Sequence, residues 1–276
     1  MTPAGANVVP IGSRDNPLLK RLRRLQEQPA AYRKLAQFWI EGDHLCRAAL
    51  ARGVAPAAAV LAQSAWTKAL QALQPLQPSA AAVYVLPDAL FAEFSGLQSN
   101  AGFGLLVDMP PVPAPQPELP SLVLDRIQDA GNVGSILRSA AAFGCRQVLA
   151  IRGTAALWSP KVLRSAMGAH FGLTLVELLD HADVLALKLP LVVTSSHQGT
   201  ALQLATFPSP CAWVFGHEGQ GVATQLQQHA VLAVRIEQPG GEESINVAAA
   251  AAICLHAGSI AWRDTAHAPL PGRLVV

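Results

Sequence analysis

Residues 121–151, SLVLDRIQDAGNVGSILRSAAAFGCRQVLAI, read as strand, helix and strand in succession. SLVLD at 121–125 and QVLAI at 147–151 are near-continuous apolar runs, and strands of that kind belong in a parallel sheet covered on both faces. Between them Val133, Ile136, Leu137, Ala140 and Ala141 fall at i, i+3, i+4, i+7 and i+8, the spacing of a helix with one buried face.

The same pattern continues toward the C-terminus. Apolar runs at 173–176, 191–195, 212–215 and 231–236 alternate with helical stretches, so 121–265 is expected to be a mostly parallel α/β domain. Residues 109–120, MPPVPAPQPELP, carry six prolines in twelve positions; proline donates to neither helix nor ladder, and the segment reads as a semi-rigid linker. Before it, residues 10–108 alternate a basic helical region (14–36), strands near 38–40, 57–61, 83–86 and 104–107, and helices over 42–52, 64–73 and 87–95. This spacing predicts a second, smaller α/β layer.

At 276 residues, 51% hydrophobic and 14% charged, the chain is long and apolar enough to bury real cores and too apolar for disorder. Forty-nine alanines temper that greasiness. Cys46, Cys145, Cys211 and Cys254 form no C-x-x-C pair, which argues against a zinc site or a disulfide scaffold and for a cytoplasmic setting. The N-terminus lacks a charged segment followed by an apolar one, so no signal peptide is expected. The uncharged stretches 189–216 and 244–262 are broken by proline and polar residues, which excludes a membrane span. Net charge is +2, yet residues 1–52 hold nine Lys/Arg against four Asp/Glu, with six of the nine in 20–34. Such a cluster either meets phosphates or is a solvated helix face.

In a parallel α/β sheet, ligands bind beyond the carboxyl ends of the strands. After the 121–125 strand come Asn132, Ser135 and Arg138, three residues apart along one helix edge, with Gly131 and Gly134 at its start. After the 212–215 strand comes GHEGQG, three glycines around Glu218. It is neither G-x-G-x-x-G, nor a P-loop, nor H-E-x-x-H, so an NAD-dependent oxidoreductase is disfavoured. After the 231–236 strand, a Pro-Gly-Gly loop leads to Ser244 and Asn246 before an alanine-rich helix over 247–261. A helix N-cap accounts for one of those two polar residues, not for both.

Taken in order, the three segments resemble the motifs of the SpoU (TrmH) family of RNA 2'-O-ribose methyltransferases, in the SPOUT superfamily. Asn132, Gly134 and Arg138 stand for the first; Gly216, Glu218, Gly219 and Gly221 for the second; Ile236, Gly240, Ser244, Ile245, Asn246 and Val247 for the third. Glu237 and Gln238 replace the family's usual Pro-Met, and Ile245 its usual Leu. The resemblance implies a C-terminal deep trefoil knot over about 190–262, preceded by an N-terminal RNA substrate-binding domain whose marker is FWIEGDHLCRAAL at 38–50. It implies S-adenosylmethionine as cofactor, no metal, and RNA as substrate, ribosomal RNA favoured over transfer RNA. Cofactor contacts are expected at Thr194, Ser195, Gly216, Gly219, Ile236 and Ile245; catalytic roles at Asn132, Arg138, Glu218, Ser244 and Asn246; and a homodimer through the C-terminal domain. The competing expectation is a non-catalytic RNA-binding or ribosome-assembly factor on the same fold.

Overall fold

The computed structural model describes residues 8–66, 82–97, 102–240 and 244–260. They fall into two compact units. One takes in the chain up to Pro111 together with Trp158–Phe171, the other Val112–Leu157 with the chain from Gly172 onward.

In the first unit, β1 (Val8–Pro10), β2 (Gln37–Glu41), β3 (Ala58–Ala62), β4 (Ala82–Leu86) and β5 (Phe103–Asp108) form a sheet of order β1-β4-β3-β5-β2. β1, β4 and β3 run parallel, while β5 pairs antiparallel with β3 and β2. The basic helical region expected over 14–36 forms two helices, α1 (Pro17–Glu27) and α2 (Ala31–Leu35). Pro29 stands in the break, where it could not have continued a helix. Asn16 caps α1 by accepting the Leu18 N–H at 2.8 Å, and Leu19, Leu22 and Leu25 bury its apolar face. α3 (Asp43–Leu50) and α4 (Asp88–Ala92) follow their strands. The helix expected over 64–73 lies mostly outside the described residues, of which Gln63–Ala65 form one 3-10 turn. Trp158–Phe171, lying between two strands of the other unit in sequence, packs here: the Trp158 ring stands 4.6 Å from Phe38 and that of Phe171 6.5 Å from it.

The second unit is built on β6 (Ser121–Asp125), β7 (Gln147–Ile151), β8 (Thr174–Leu179), β9 (Leu191–Thr194), β10 (Thr200–Ala201), β11 (Ala212–Gly216) and β12 (Ala230–Arg235). Their order is β10-β12-β9-β11-β6-β7-β8, with every pairing parallel. Strands expected from apolar runs are all present: 121–125 and 147–151 keep their bounds, and the other four differ at one or both ends by one to three residues. Leu122, Val123, Leu124, Leu149, Val193 and Val214 are buried in the core. On α5 (Ala130–Ala142), Val133, Ile136, Leu137 and Ala140 are buried as their spacing requires, while Ala141 is only half-buried. The short helices α6 (His181–Ala186) and α7 (Thr224–Gln228) complete two of the crossovers. α8 (Val247–Ser259) packs against α5 and β11. A Cβ on its Gly258 would stand 2.7 Å from the Trp213 indole nitrogen, so only glycine allows this approach.

Candidate active site

Because the sheet is parallel, β12, β9, β11 and β6, which are neighbours in it, all end on one edge. Segments 194–197, 216–222, 234–238 and 244–247 therefore line one cavity of about 750 Å³. All six expected cofactor contacts, Thr194, Ser195, Gly216, Gly219, Ile236 and Ile245, are on its wall, together with Glu218, Ser244 and Asn246. The volume lies within the roughly 300–1,000 Å³ usual for ligand sites.

The loop after β11 closes on itself. The Gly221 N–H donates to the His217 carbonyl at 2.8 Å, and the His217 Nδ1 accepts the N–H groups of Gly219 and Gln220 at 3.0 and 3.2 Å. A Cβ at Gly216 would lie 2.1 Å from the backbone of Gly221 and Val222, whereas one at Gly219 would meet nothing nearer than 3.8 Å. Thr194 and Ser195 reach the wall with their hydroxyls engaged. Thr194 Oγ1 donates to the Val214 carbonyl at 2.9 Å, and Ser195 Oγ accepts the N–H groups of His197 and Gln198.

A single hydrogen-bonded run joins all three sequence motifs. Asn246 Nδ2 donates to Asn132 Oδ1 at 3.0 Å, and Asn132 Nδ2 donates to Glu218 Oε1 at 3.1 Å. Glu218 also accepts the N–H groups of Gln128 and Asp129 at 3.2 and 3.1 Å, gripping the turn that enters α5. Burial alone would raise the Glu218 carboxyl above its ordinary value. The hydrogen bonds from its own backbone, Gln128, Asn132 and Asp129 outweigh that and hold it below. Asn246 carries a second load, because its Oδ1 caps α8 by accepting the Ala248 and Ala249 N–H groups. One side chain thus serves both as N-cap and as link to Asn132.

Arg138 is the expected site residue that the structure leaves apart. It lies six residues beyond Asn132 on α5, exposed, outside the cavity wall and without a hydrogen bond or ion pair among the described residues. Ser244 lines the cavity and is exposed.

Beneath the loop stands Asp125, fully buried at the end of β6. Its carboxylate meets Arg126 Nε at 2.8 Å, His181 Nε2 at 3.0 Å and the Ala223 N–H at 2.7 Å, while Arg126 Nη1 reaches Gln220 at 3.0 Å. Burial pushes the Asp125 carboxyl up, but the hydrogen bonds from Arg126, Ala223 and His181 and the Arg126 charge bring it below its ordinary value. Asp125 thus ties β6 to the end of the 216–222 loop. It was not singled out from the sequence, although a carboxylate closing an apolar strand is itself a signal, since a buried charge needs partners. Cys254, also on the cavity wall, is buried and its thiol is pushed up to about 12, which keeps it protonated and unreactive. No group of three metal-ligating side chains stands together among the described residues, and no described helix is long and apolar enough to cross a membrane.

Residues 120–256 match the family model described as the SpoU rRNA Methylase family. A tRNA/rRNA methyltransferase of Synechocystis sp., itself uncharacterized, is 31% identical over 93% of this chain and 95% of its own length. The 23S rRNA (guanosine(2553)-2'-O)-methyltransferase RlmP of Bacillus subtilis is 35% identical over 49% of this chain; the match spans 56% of RlmP. Among solved structures, a Porphyromonas gingivalis protein assigned to the TrmH family of RNA methyltransferases superposes with a TM-score of 0.77 at 29% identity, covering 91% of this chain and 98% of its own.

Proposed function

Because the chain belongs to the SpoU rRNA methylase family, we propose that it methylates a ribose 2'-hydroxyl in structured RNA, using S-adenosylmethionine and favouring ribosomal over transfer RNA. The observation that carries this reading is the run Glu218, Asn132, Asn246, which brings one residue from each motif together beside one cavity. The cavity suits the cofactor: Gly216 lets the loop backbone at Gly221 and Val222 fold back against it, and the wall so formed carries apolar Ile236 and Ile245 together with polar Thr194, Ser195 and His217. When bound, S-adenosylmethionine supplies a methyl group made electrophilic by its sulfonium.

A ribose hydroxyl is a weak nucleophile until its proton leaves, so the protein has to stabilise the emerging oxyanion. Arg138 does so while gripping the adjoining phosphate. Its guanidinium stays protonated to a pH above about 12, so it holds charge and does not take the proton, which passes to the phosphate or another acceptor. Glu218 fixes the α5 entry turn and Asn132, and offsets the positive charges that meet at the site. Asn132, Ser244 and Asn246 orient the ribose. The same reading gives RNA capture to 10–108, methyl transfer to 121–265 with 109–120 as linker, and the family's deep trefoil knot to about 190–262. It also pairs two chains through the C-terminal domain and puts the protein in the cytoplasm, where a reducing environment keeps its buried cysteines as the free thiols they are.

The test is to incubate the protein with S-adenosylmethionine and total RNA lacking its modification, then map new 2'-O-methyl groups. One new methylated ribose supports the reading and names the substrate. The absence of both methylation and cofactor binding by calorimetry would overturn it in favour of the RNA-binding factor.

A further inference from the structure

From Val234 onward the chain presents alternate residues to the cavity. Val234, Ile236 and Gln238 line it, as side chains two apart on an extended segment share a face. Arg235 and Glu237 turn the other way: Arg235 Nη2 stands 3.6 Å from Glu237 Oε1, Arg235 Nη1 donates to the Gly199 carbonyl, and Gln203 donates to Glu237. Glu237, one of the two departures from the family pattern, therefore puts its charge outside the cavity. Gln238, the other, puts an amide inside it.

That amide is incomplete. Gln238 Oε1 is buried and has no hydrogen-bond partner among the described residues. A buried acceptor left unpaired is unfavourable by far more than a satisfied one gains, and methionine, the family's usual residue here, would carry no such need. The two residues preceding it on the same rail are apolar, and Ile245 stands on the same wall. A flat ring laid on that rail would bury one face against Val234 and Ile236 and turn an edge to Gln238. The sugar and amino-acid parts of the cofactor would then meet the polar segments 194–197 and 217–220.

We infer that Gln238 is a specificity-determining residue of the cofactor cavity, its side-chain carbonyl accepting the exocyclic amine of the adenine ring. This rests on the S-adenosylmethionine reading above. The probes are S-adenosylhomocysteine and its analogue carrying hydrogen in place of the 6-amino group, titrated by calorimetry into the full chain. The wild-type protein is expected to bind the amine-bearing ligand about tenfold more tightly, since the analogue leaves Oε1 unpaired. Gln238→Met is expected to bind both ligands alike, and Gln238→Glu, which keeps an acceptor, to retain the preference. A Gln238→Met variant that keeps the wild-type ratio, with or without weaker binding overall, overturns the inference while leaving the cofactor reading intact. A wild-type protein that binds neither ligand overturns both.

Discussion

Gly216 and Gly219 stand three positions apart in one loop, and only the first is forced by its surroundings. A methyl group at 216 would overlap the backbone of Gly221 and Val222, whereas at 219 it would enter open space. Gly216→Ala should therefore cost about 1–3 kcal/mol in urea denaturation and abolish cofactor binding, while Gly219→Ala should change stability by less than about 0.5 kcal/mol. Equal effects would mean that the loop is not held as described. Asp125 is read through pH. Its folded value lies below the ordinary 3.8, so its contribution is present above pH 3.8 and lost as pH falls through the lower folded value. Asp125→Asn should lower stability at pH 7 by about 1.5–3 kcal/mol, the worth of hydrogen bonds to a charged group. That difference should shrink when the same denaturation is run near pH 3. Arg138, exposed and off the cavity wall, gives the opposite signature: Arg138→Ala should lose nearly all methyl transfer and leave cofactor affinity unchanged by calorimetry, and a variant that keeps most of its rate would remove Arg138 from the mechanism.

At the next scale the site depends on two helix starts, α5 and α8, joined by Asn132 and Asn246. Asn246 holds both a cap and a cross-link through different atoms, and the two can be separated. Aspartate caps as well as asparagine but has no amide to donate to Asn132, so Asn246→Asp should stay within about 1 kcal/mol of wild-type stability by this cap equivalence while methyl transfer collapses. If activity survives in a stable variant, the cross-link is dispensable. Elements of this kind were legible in the residues themselves: the buried face of α5 followed from a 3.6-residue period and the strands of the parallel sheet from unbroken apolar runs. The gathering of the six expected cofactor contacts on one wall was legible only through the motif resemblance, because strand order leaves no mark on any one segment. Least legible were partners fixed by geometry: the bonds of Asp125 to His181 and Ala223, the turning of Arg126 onto Asp125, and the packing of Trp158 on Phe38. The Asp125 carboxylate signals that it needs partners, but which groups meet it, and which ring meets Trp158, is set by the fold and not by the neighbouring residues.

For the molecule as a whole, the proposed function asks the surface to serve both RNA and a second copy of the chain. Several cations of the N-terminal cluster are already paired: Arg14 and Arg23 share Glu93 at 3.0 and 2.8 Å, and Lys20 meets Asp15 at 3.0 Å. With a net charge of only +2, RNA affinity should fall with salt no more steeply than a log–log slope of about −3, equivalent to roughly four phosphate contacts. On α8, by contrast, Ala251, Cys254, Leu255 and Gly258 face inward, while Ile253 and, just past the helix end, Ile260 are 44% and 65% exposed. Seven residues apart is two turns, so both isoleucines lie on one stripe, an apolar edge whose covering removes it from water. The proposed dimer covers it. Sedimentation of the wild-type protein at micromolar concentration should therefore give a dimer, and Ile253→Arg, which leaves the buried face of α8 untouched, should give a folded monomer. A wild-type monomer would refute the pairing outright. A dimer that persists in Ile253→Arg would keep the pairing and move its interface off this helix.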